Sequence, residues 1–139
     1  LMLDTFTGKN WQVQFSTEGT DYMFAAPINM FSLAYPEKSS NWTNRFQMFA
    51  TQNMWTFILL DSYNGRLWQV QYSTQDLDNL FCIPINKNEL VENNERCVFS
   101  IQPLTSMYQY YLINDNTGDM WKFQWSTKGD DYRWIERFR

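Results

Sequence analysis

The run WQVQFS, which spans Trp11 to Ser16, alternates large and polar side chains with a period of two. This alternation is typical of a strand that buries one face and exposes the other. Trp11, Val13 and Phe15 would share one face, and the polar residues between them would share the other. The pattern therefore predicts a half-buried β-strand near the start of the chain.

Nearly the same run occurs twice more, as WQVQYS from Trp68 and as WKFQWS from Trp121. The three tryptophans are 57 and 53 residues apart, and a glycine lies three residues before each of them. Self-similarity of this kind indicates a repeated supersecondary unit. The sequence therefore predicts one domain, residues 1–139, built from three related units at residues 1–43, 44–95 and 96–139.

Each complete unit is predicted to be a four-stranded antiparallel meander. Runs that are apolar on both faces, FILLD (57–61) and YYLIN (110–114), precede the alternating strand and suit interior strands. Thr7-Gly8, Asn64-Gly65 and Thr117-Gly118 provide hairpin turns, in which glycine permits a positive φ. The outer strands are predicted in RFQMF (45–49), CVFSI (97–101), YMFAA (22–26), NLFCI (79–83) and YRWIERF (132–138).

The first unit lacks its opening strand, because the chain begins at the second strand of the pattern. We expect a missing start upstream; the alternatives are a strand borrowed within the fold or supplied by another chain. Pro27 and Pro84 follow the last strands of the first two units and have no amide hydrogen to donate. They are expected to end those strands or to place them at a sheet edge.

The composition favours one well-packed domain and narrows the possible chemistry. Of 139 residues, 44% are hydrophobic and 19% are aromatic, which is enough for a sizeable core. The chain has no histidine, which excludes Ser-His-Asp and Cys-His catalysis within it. A net charge of −4 disfavours binding to long nucleic acids. No apolar run reaches membrane-spanning length and no signal peptide is evident, so we expect a cytoplasmic protein without a membrane partner.

Two cysteines, Cys82 and Cys97, lie in apolar strand-like runs. The interpretation we favour is two reduced, buried thiols, as a cytoplasmic location would imply, and a disulfide is the alternative. The sequon Asn41-Trp42-Thr43 would matter only in a secreted protein.

A longer motif unites the three units. An apolar run, an Asp, a Thr/Asn-Gly turn and a Trp recur at Leu3–Trp11, Leu60–Trp68 and Leu112–Trp121, with Asn114 in place of the third Asp. This motif resembles the blades of PQQ-type and related β-propellers. The resemblance implies an all-β fold of three four-stranded repeats with propeller-like pseudo-threefold symmetry; a β-trefoil is the alternative. The stretch from Asn53 to Ser73 also resembles small repeat proteins of unknown function from Bacteroidetes and their phages or mobile elements.

A glutamine recurs at the same place in all three units, as Gln14, Gln71 and Gln124. One interpretation is structural: each amide bonds neighbouring backbone groups and keeps a polar position satisfied. The other is functional: the three amides converge near a pseudo-threefold axis, or line equivalent pockets, and bind the polar edge of a ligand. A glutamine both donates and accepts, which suits a nucleobase or the hydroxyls of a sugar.

Aromatic side chains provide further candidate ligand contacts. Trp55 and Tyr108 occupy matching positions just before the apolar strands, and Asn53 lies two residues before Trp55. Rings at a strand start, beside polar residues, can stack on a sugar or a base; the alternative is that they form the rim of the core. The repeated tryptophans Trp11, Trp68 and Trp121 fit the core better than a ligand platform, but they too are candidate contacts.

Catalysis is not expected from the repeated carboxylates. They recur beside turns, where Asp commonly hydrogen-bonds its own backbone, and they are Asp4, Asp61, Asp21, Asp78 and Asp131. No pair among them has the unlike surroundings that acid–base chemistry needs. A structural role in the turns is therefore the favoured interpretation.

We expect a non-catalytic protein that binds a small molecule, a nucleotide or a sugar, without a cofactor or metal. The phage resemblance implies sequestration of a nucleotide-type signalling molecule. The alternatives are a protein-interaction module that uses an aromatic rim or sheet edge, a lectin-like sugar-binding repeat protein, and a metal-dependent hydrolase that uses Asp residues. Three propeller-like units would leave exposed edges, so a homo-oligomer that covers them is also expected.

Overall fold

The computed structural model describes residues 1–34, 44–91 and 98–139, which contain eleven β-strands in three antiparallel sheets. Sheet 1 consists of β1 (Met2–Leu3), β2 (Asn10–Gln14) and β3 (Phe24–Asn29). Sheet 2 consists of β4 (Phe46–Ala50), β5 (Thr56–Asp61), β6 (Arg66–Gln71) and β7 (Phe81–Pro84). Sheet 3 consists of β8 (Phe99–Pro103), β9 (Gln109–Asn114), β10 (Met120–Gln124) and β11 (Trp134–Arg137). Short 3-10 helices precede the last strand of each sheet, at Thr20–Tyr22, Leu77–Asn79 and Asp130–Tyr132.

The all-β prediction is confirmed, and so is the meander order of the strands within each sheet. Among the described strands, none in sheet 1 takes the place of β4 or β8, and β1 has only two residues. Pro84 ends β7, and Pro27 lies within β3, an edge strand. No sheet closes on itself, and no helix within the described ranges is long and apolar enough to cross a membrane.

Each sheet has two chemically different faces, because side chains alternate along its strands. In sheet 2, Trp68 lies on one face, which we call the Trp face. Gln69, the next residue along β6, points to the opposite side, and so does Gln71, which lies two residues after Gln69. We call that side the Gln face. The faces that carry Trp11 in sheet 1 and Trp121 in sheet 3 are likewise their Trp faces.

The Trp face of sheet 2 packs against sheet 1. Phe46, Trp68 and Val70 are buried in one hydrophobic cluster, into which Leu3 and Ile28 of sheet 1 also pack. Leu3 pairs with Asn10, so the surface of sheet 1 that takes part is its Gln face. The contact therefore joins the Gln face of one sheet to the Trp face of the next.

Sheets 2 and 3 repeat the same arrangement. The Trp face of sheet 3 contributes buried aromatic rings, namely Tyr110, Trp121, Phe123 and Trp125. Ile58, Leu60 and Leu67, on the Gln face of sheet 2, complete the cluster. Burying each large side chain of this kind contributes about 1.5–3 kcal/mol, so this face-to-face packing is a principal source of stability.

The turn glycines of the first two sheets lie against the following sheet. Gly65 has a φ of 75°, and a Cβ built on it would lie 3.0 Å from Leu90 and from Phe99 of β8. A Cβ built on Gly8 would likewise lie 3.0 Å from Phe46 of β4. Gly118 has a φ of 76°, but no atom of the described residues lies within 4 Å of its Cβ position. Glycine is thus required at Gly65 both for its backbone conformation and for space.

A glutamine hydrogen bond accompanies each inter-sheet contact. The Gln12 Oε1 accepts from the Ser73 amide of sheet 2 at 3.2 Å, and the Gln69 Oε1 accepts from the Ser126 amide of sheet 3 at 3.2 Å. Both glutamines are buried. The matching position in sheet 3 is Lys122, whose ammonium group can only donate.

A buried ion pair lies at the turn after β5. Arg45 donates from Nε to Asp61 Oδ1 at 2.8 Å and from Nη2 to Oδ2 at 2.6 Å. Asp61 is fully buried and also accepts from the Tyr63 amide. Burial raises the pKa of Asp61, against the opposing effect of Arg45. The cost of burying each charge is therefore offset only while both Arg45 and Asp61 are present.

The described cysteine is a free thiol. Cys82 is partly buried, and its sulfur lies 4.0 Å from the Asn10 Nδ2. Burial raises the pKa of the Cys82 thiol to about 12, so its reactive thiolate is scarce at neutral pH. Cys97, the alternative disulfide and the sequon at 41–43 lie outside the described residues.

Substituting the turn glycines tests the contact between sheets 2 and 3. We expect both Gly65→Ala and Gly118→Ala to lose about 1–2 kcal/mol, because each forces alanine to a positive φ. Gly65→Ala should lose about 1–3 kcal/mol more, because the new methyl overpacks against Leu90 and Phe99. Urea unfolding of the two variants measures the difference, and equal losses would contradict the packing described.

The ion pair predicts a large, pH-dependent effect of removing one partner. Arg45→Met should destabilise the protein by about 3–5 kcal/mol at pH 7, because it leaves Asp61 charged and buried. The loss should shrink as pH falls, since the raised pKa lets folded Asp61 take up a proton before the unfolded chain does. Unfolding curves at several pH values measure this.

The matched control is Arg45→Met combined with Asp61→Asn. Asparagine already occupies the corresponding position as Asn114, whose Oδ1 accepts from the Asn116 amide. The double variant should lose clearly less stability than Arg45→Met alone. A double variant as unstable as the sum of the two single variants would show that Arg45 and Asp61 do not depend on each other.

Candidate functional site

A groove lies where β6 ends, beside the segment that follows β10 of sheet 3. It has a volume of about 540 Å³. Its lining comes from the turn before β5, from the chain after β6 and from sheet 3, namely Asn53, Trp55, Gln71, Tyr72, Ser73, Thr74, Gln75, Asn79 and Thr127. We call it the Trp55 groove. All of its lining side chains are uncharged, and most can form hydrogen bonds.

Trp55 provides a partly exposed ring in a fixed position. The residue is 38% exposed, and its ring centroid lies 5.2 Å from that of Tyr72, with an angle of 53° between the two ring planes. The Asn53 Oδ1 accepts from the Trp55 amide at 3.0 Å, and the Thr51 hydroxyl accepts from the Asn53 amide at 3.1 Å. These bonds order the turn, so the ring offers a platform for a planar or sugar-like ligand.

Gln71 lies on the rim of the same groove and keeps one end of its amide available. Its Nε2 donates to the Asn79 carbonyl at a long 3.4 Å. Among the described residues, none donates to its Oε1. The structure therefore brings together Asn53, Trp55 and Gln71, three residues singled out from the sequence.

The other two repeated glutamines make the corresponding local bond. Gln14 donates to the Tyr22 carbonyl at 3.4 Å, and Gln124 donates to the Tyr132 carbonyl at 3.0 Å. Each bond ties a strand to the 3-10 helix of its own sheet. Gln124 also accepts from the Gln109 Nε2 at 2.8 Å. Each of the three amides therefore donates to a backbone carbonyl of its own sheet.

The repeated tryptophans differ in exposure. Trp68 and Trp121 are 3% and 5% exposed and belong to the two inter-sheet clusters. They are core residues, as favoured from the sequence. Trp11 lies on the Trp face of sheet 1 and is partly exposed. None of the three lines the Trp55 groove.

Tyr108 borders a smaller pocket on sheet 3. This pocket has a volume of about 180 Å³ and also includes Gln124, Ser126, Thr127 and Lys128. The Tyr108 ring packs 4.9 Å from the Trp125 ring. Thr127 lines both pockets, so the cationic Lys128 follows directly after a residue of the Trp55 groove.

Several groove residues were missed from the sequence. Ser73 and Thr74 do carry a signal, since a Ser-Thr pair follows the alternating strand in every unit. Tyr72 looks like a continuation of that strand. Thr127 carries no signal for this groove, because it belongs to the neighbouring sheet. The Gln69–Ser126 bond places it here, beside the end of β6.

The repeated aspartates lie beside turns or in 3-10 helices. The Asp4 carboxylate accepts from the Thr7 hydroxyl at 2.6 Å and from the Phe6 amide at 2.9 Å. The Thr7 hydrogen bond is the main reason that the pKa of Asp4 is lowered. Asp21, Asp78 and Asp131 lie in the three 3-10 helices. The described ranges contain no group of three or more Cys, Asp or Glu residues placed to hold a metal ion.

Comparison with known proteins does not assign the chain to a family. No family model matches the chain, and no curated protein or solved structure shows significant similarity to it. The resemblance to PQQ-type propellers and to small repeat proteins of unknown function therefore stays a prediction.

Replacing Gln71 and Gln124 one at a time shows, from the change in the free energy of unfolding, which amide stabilises the fold and which is available to a ligand. Gln124→Met should lose about 1–2 kcal/mol, because Gln124 bonds both the Tyr132 carbonyl and Gln109. Gln71→Met should change the free energy of unfolding by no more than about 0.5 kcal/mol. Thermal and urea unfolding measure both. A loss at Gln71 as large as at Gln124 would mean that its amide is committed to the fold.

Proposed function

We propose that this protein binds a small nucleotide-type molecule, without turning it over, in the Trp55 groove. The observation that carries the proposal is the partly exposed Trp55 ring beside the amides of Asn53 and Gln71. A nucleobase stacks on an aromatic ring and presents donors and acceptors at its edge. The groove supplies both kinds of contact in an uncharged, polar setting.

Lys128 extends the proposal from a base to a whole nucleotide. A base seated on Trp55 leaves room in the groove for its ribose and phosphate, and Thr127 also lines this groove. The backbone after Thr127 presents Lys128, whose ammonium group attracts a phosphate. The positive charge of Lys128 and the neutral amides of Asn53 and Gln71 suit a ligand that has an anionic phosphate and an uncharged base.

The proposed arrangement of the sheets is that of consecutive, propeller-like blades. Two successive contacts of Gln face to Trp face support it, since each sheet packs in the same sense on the next. Open four-stranded sheets are also the building blocks of propellers. In this arrangement the groove lies between the ends of two neighbouring blades.

Sequestration is the role that we propose for such a site. Binding without chemistry lowers the free concentration of a signalling nucleotide when the protein is in excess. A sugar-binding, lectin-like protein is the second candidate. The uncharged lining of the groove supports it, because sugar rings stack on tryptophan and their hydroxyls pair with amides.

Ligand screening with matched variants tests the proposal. Nucleosides, mononucleotides, cyclic dinucleotides and simple sugars are titrated by calorimetry, and we expect a nucleotide to bind best. Trp55→Ala should weaken that binding about tenfold or more, because stacking contributes about 1–3 kcal/mol. Tyr108→Ala, the corresponding change on sheet 3, should leave it within about twofold.

The outcomes of the screen separate the two candidates. Tighter binding of nucleotides than of nucleosides, lost in Lys128→Ala, supports a phosphate contact. Binding of sugars alone would replace the nucleotide proposal with the lectin-like one. Binding that Trp55→Ala leaves unchanged would place the site elsewhere, and release of a hydrolysed product would contradict the non-catalytic role.

A further inference from the structure

The Trp face of sheet 1 is exposed, although the same face is buried in the other two sheets. Val13 and Phe15 are 45% and 77% exposed. Val13 corresponds to Val70 of sheet 2, which is fully buried. Phe15 corresponds to Trp125 of sheet 3, which is also fully buried. The exposed surface also includes Met2, Trp11, Ala25 and Pro27. A contiguous apolar surface of this kind marks an interaction site.

The Gln face of sheet 3 carries apolar side chains at the positions that, in sheet 2, contact the Trp face of the next sheet. At the inter-sheet contact of sheet 2, the Gln face supplies Ile58, Leu60 and Leu67. The matching positions of sheet 3 carry apolar side chains too, and all are only partly buried: Tyr111, Ile113 and Met120. Within the part of the chain that the structure describes, nothing lies within 4 Å of a Cβ at Gly118, whereas the corresponding glycines, Gly8 and Gly65, contact the next sheet.

We propose that these two surfaces bind each other between two copies of this chain, head to tail. The Gln face of sheet 3 in one copy covers the Trp face of sheet 1 in the other. The contact repeats the packing already present twice within the chain, between sheets 1 and 2 and between sheets 2 and 3. The two internal contacts therefore indicate which kind of surface covers this face.

Two copies close the arrangement. A head-to-tail contact is heterologous, and it forms either a closed ring or an open filament. Two copies with three sheets each place six sheets in one ring, which lies within the usual range of about 4–8 blades for propellers. Both copies then bury both surfaces, and no Trp face remains exposed.

Lys122 makes the contact between copies weaker than the contacts within a chain. Gln12 and Gln69 each accept a hydrogen bond from the amide of a serine on the next sheet. The corresponding pair between copies is Lys122 and the amide of Ser16. The lysine ammonium cannot accept this bond, so the dimer dissociates on dilution. Lys122→Gln restores the acceptor.

Sedimentation of the full chain over a range of concentrations tests the proposal. We expect a reversible dimer, and Lys122→Gln should bind about fivefold more tightly, as one added hydrogen bond implies. Val13→Asp and Ile113→Asp should each yield a folded monomer, because either change blocks both contacts of the ring. Near-UV circular dichroism checks that each variant keeps its packing.

Mixing the two aspartate variants identifies the geometry. One contact in the mixed pair joins two unaltered surfaces, so Val13→Asp with Ile113→Asp should form a dimer that neither forms alone. A wild-type protein that stays monomeric up to about 100 µM, or weaker association of Lys122→Gln, would overturn the proposal. An Ile113→Asp variant that still dimerises would overturn it as well, since this indicates pairing of two sheet 1 faces.

Discussion

The contact between the Trp face of one sheet and the Gln face of the preceding one holds this molecule together. Taken alone, each sheet has a Trp face of large apolar side chains and no partner for it. Trp68 and Val70 become buried only because sheet 1 lies against them, and Phe123 and Trp125 only because sheet 2 does. A sheet whose apolar face stays in contact with water lacks the stabilisation that burying this face provides. The three sheets therefore stabilise one another in sequence.

The Trp55 groove is a consequence of that packing. The same contact that buries Trp121 brings Ser126 to the Gln69 oxygen, and so places Thr127 beside the end of β6. Sheet 2 provides the ring and the amides, and sheet 3 provides the wall next to Lys128. A change in the packing between these sheets would move one side of the groove relative to the other.

Residues at matching positions of the three sheets make different contacts because their surroundings differ. Asp4, Asp61 and Asn114 all accept bonds from the turn that follows them. Only Asp61 is fully buried with an arginine on both of its oxygens. Gln12 and Gln69 bridge two sheets, whereas the matching residue of sheet 3, Lys122, carries a charge. Matching positions of the three sheets thus differ chemically.

The sequence by itself determined the strands, their order and the turns, because a period of two and a glycine at positive φ are local properties. It also identified Asn53, Trp55 and Gln71, which do lie together. Only the tertiary structure decided that Trp68 is buried while Trp11 is partly exposed, that Gln12 and Gln69 rather than Gln14 and Gln71 bridge the sheets, and that Thr127 joins the groove. Each of these depends on which sheet lies opposite, and a strand pattern carries no information about its neighbour across a face.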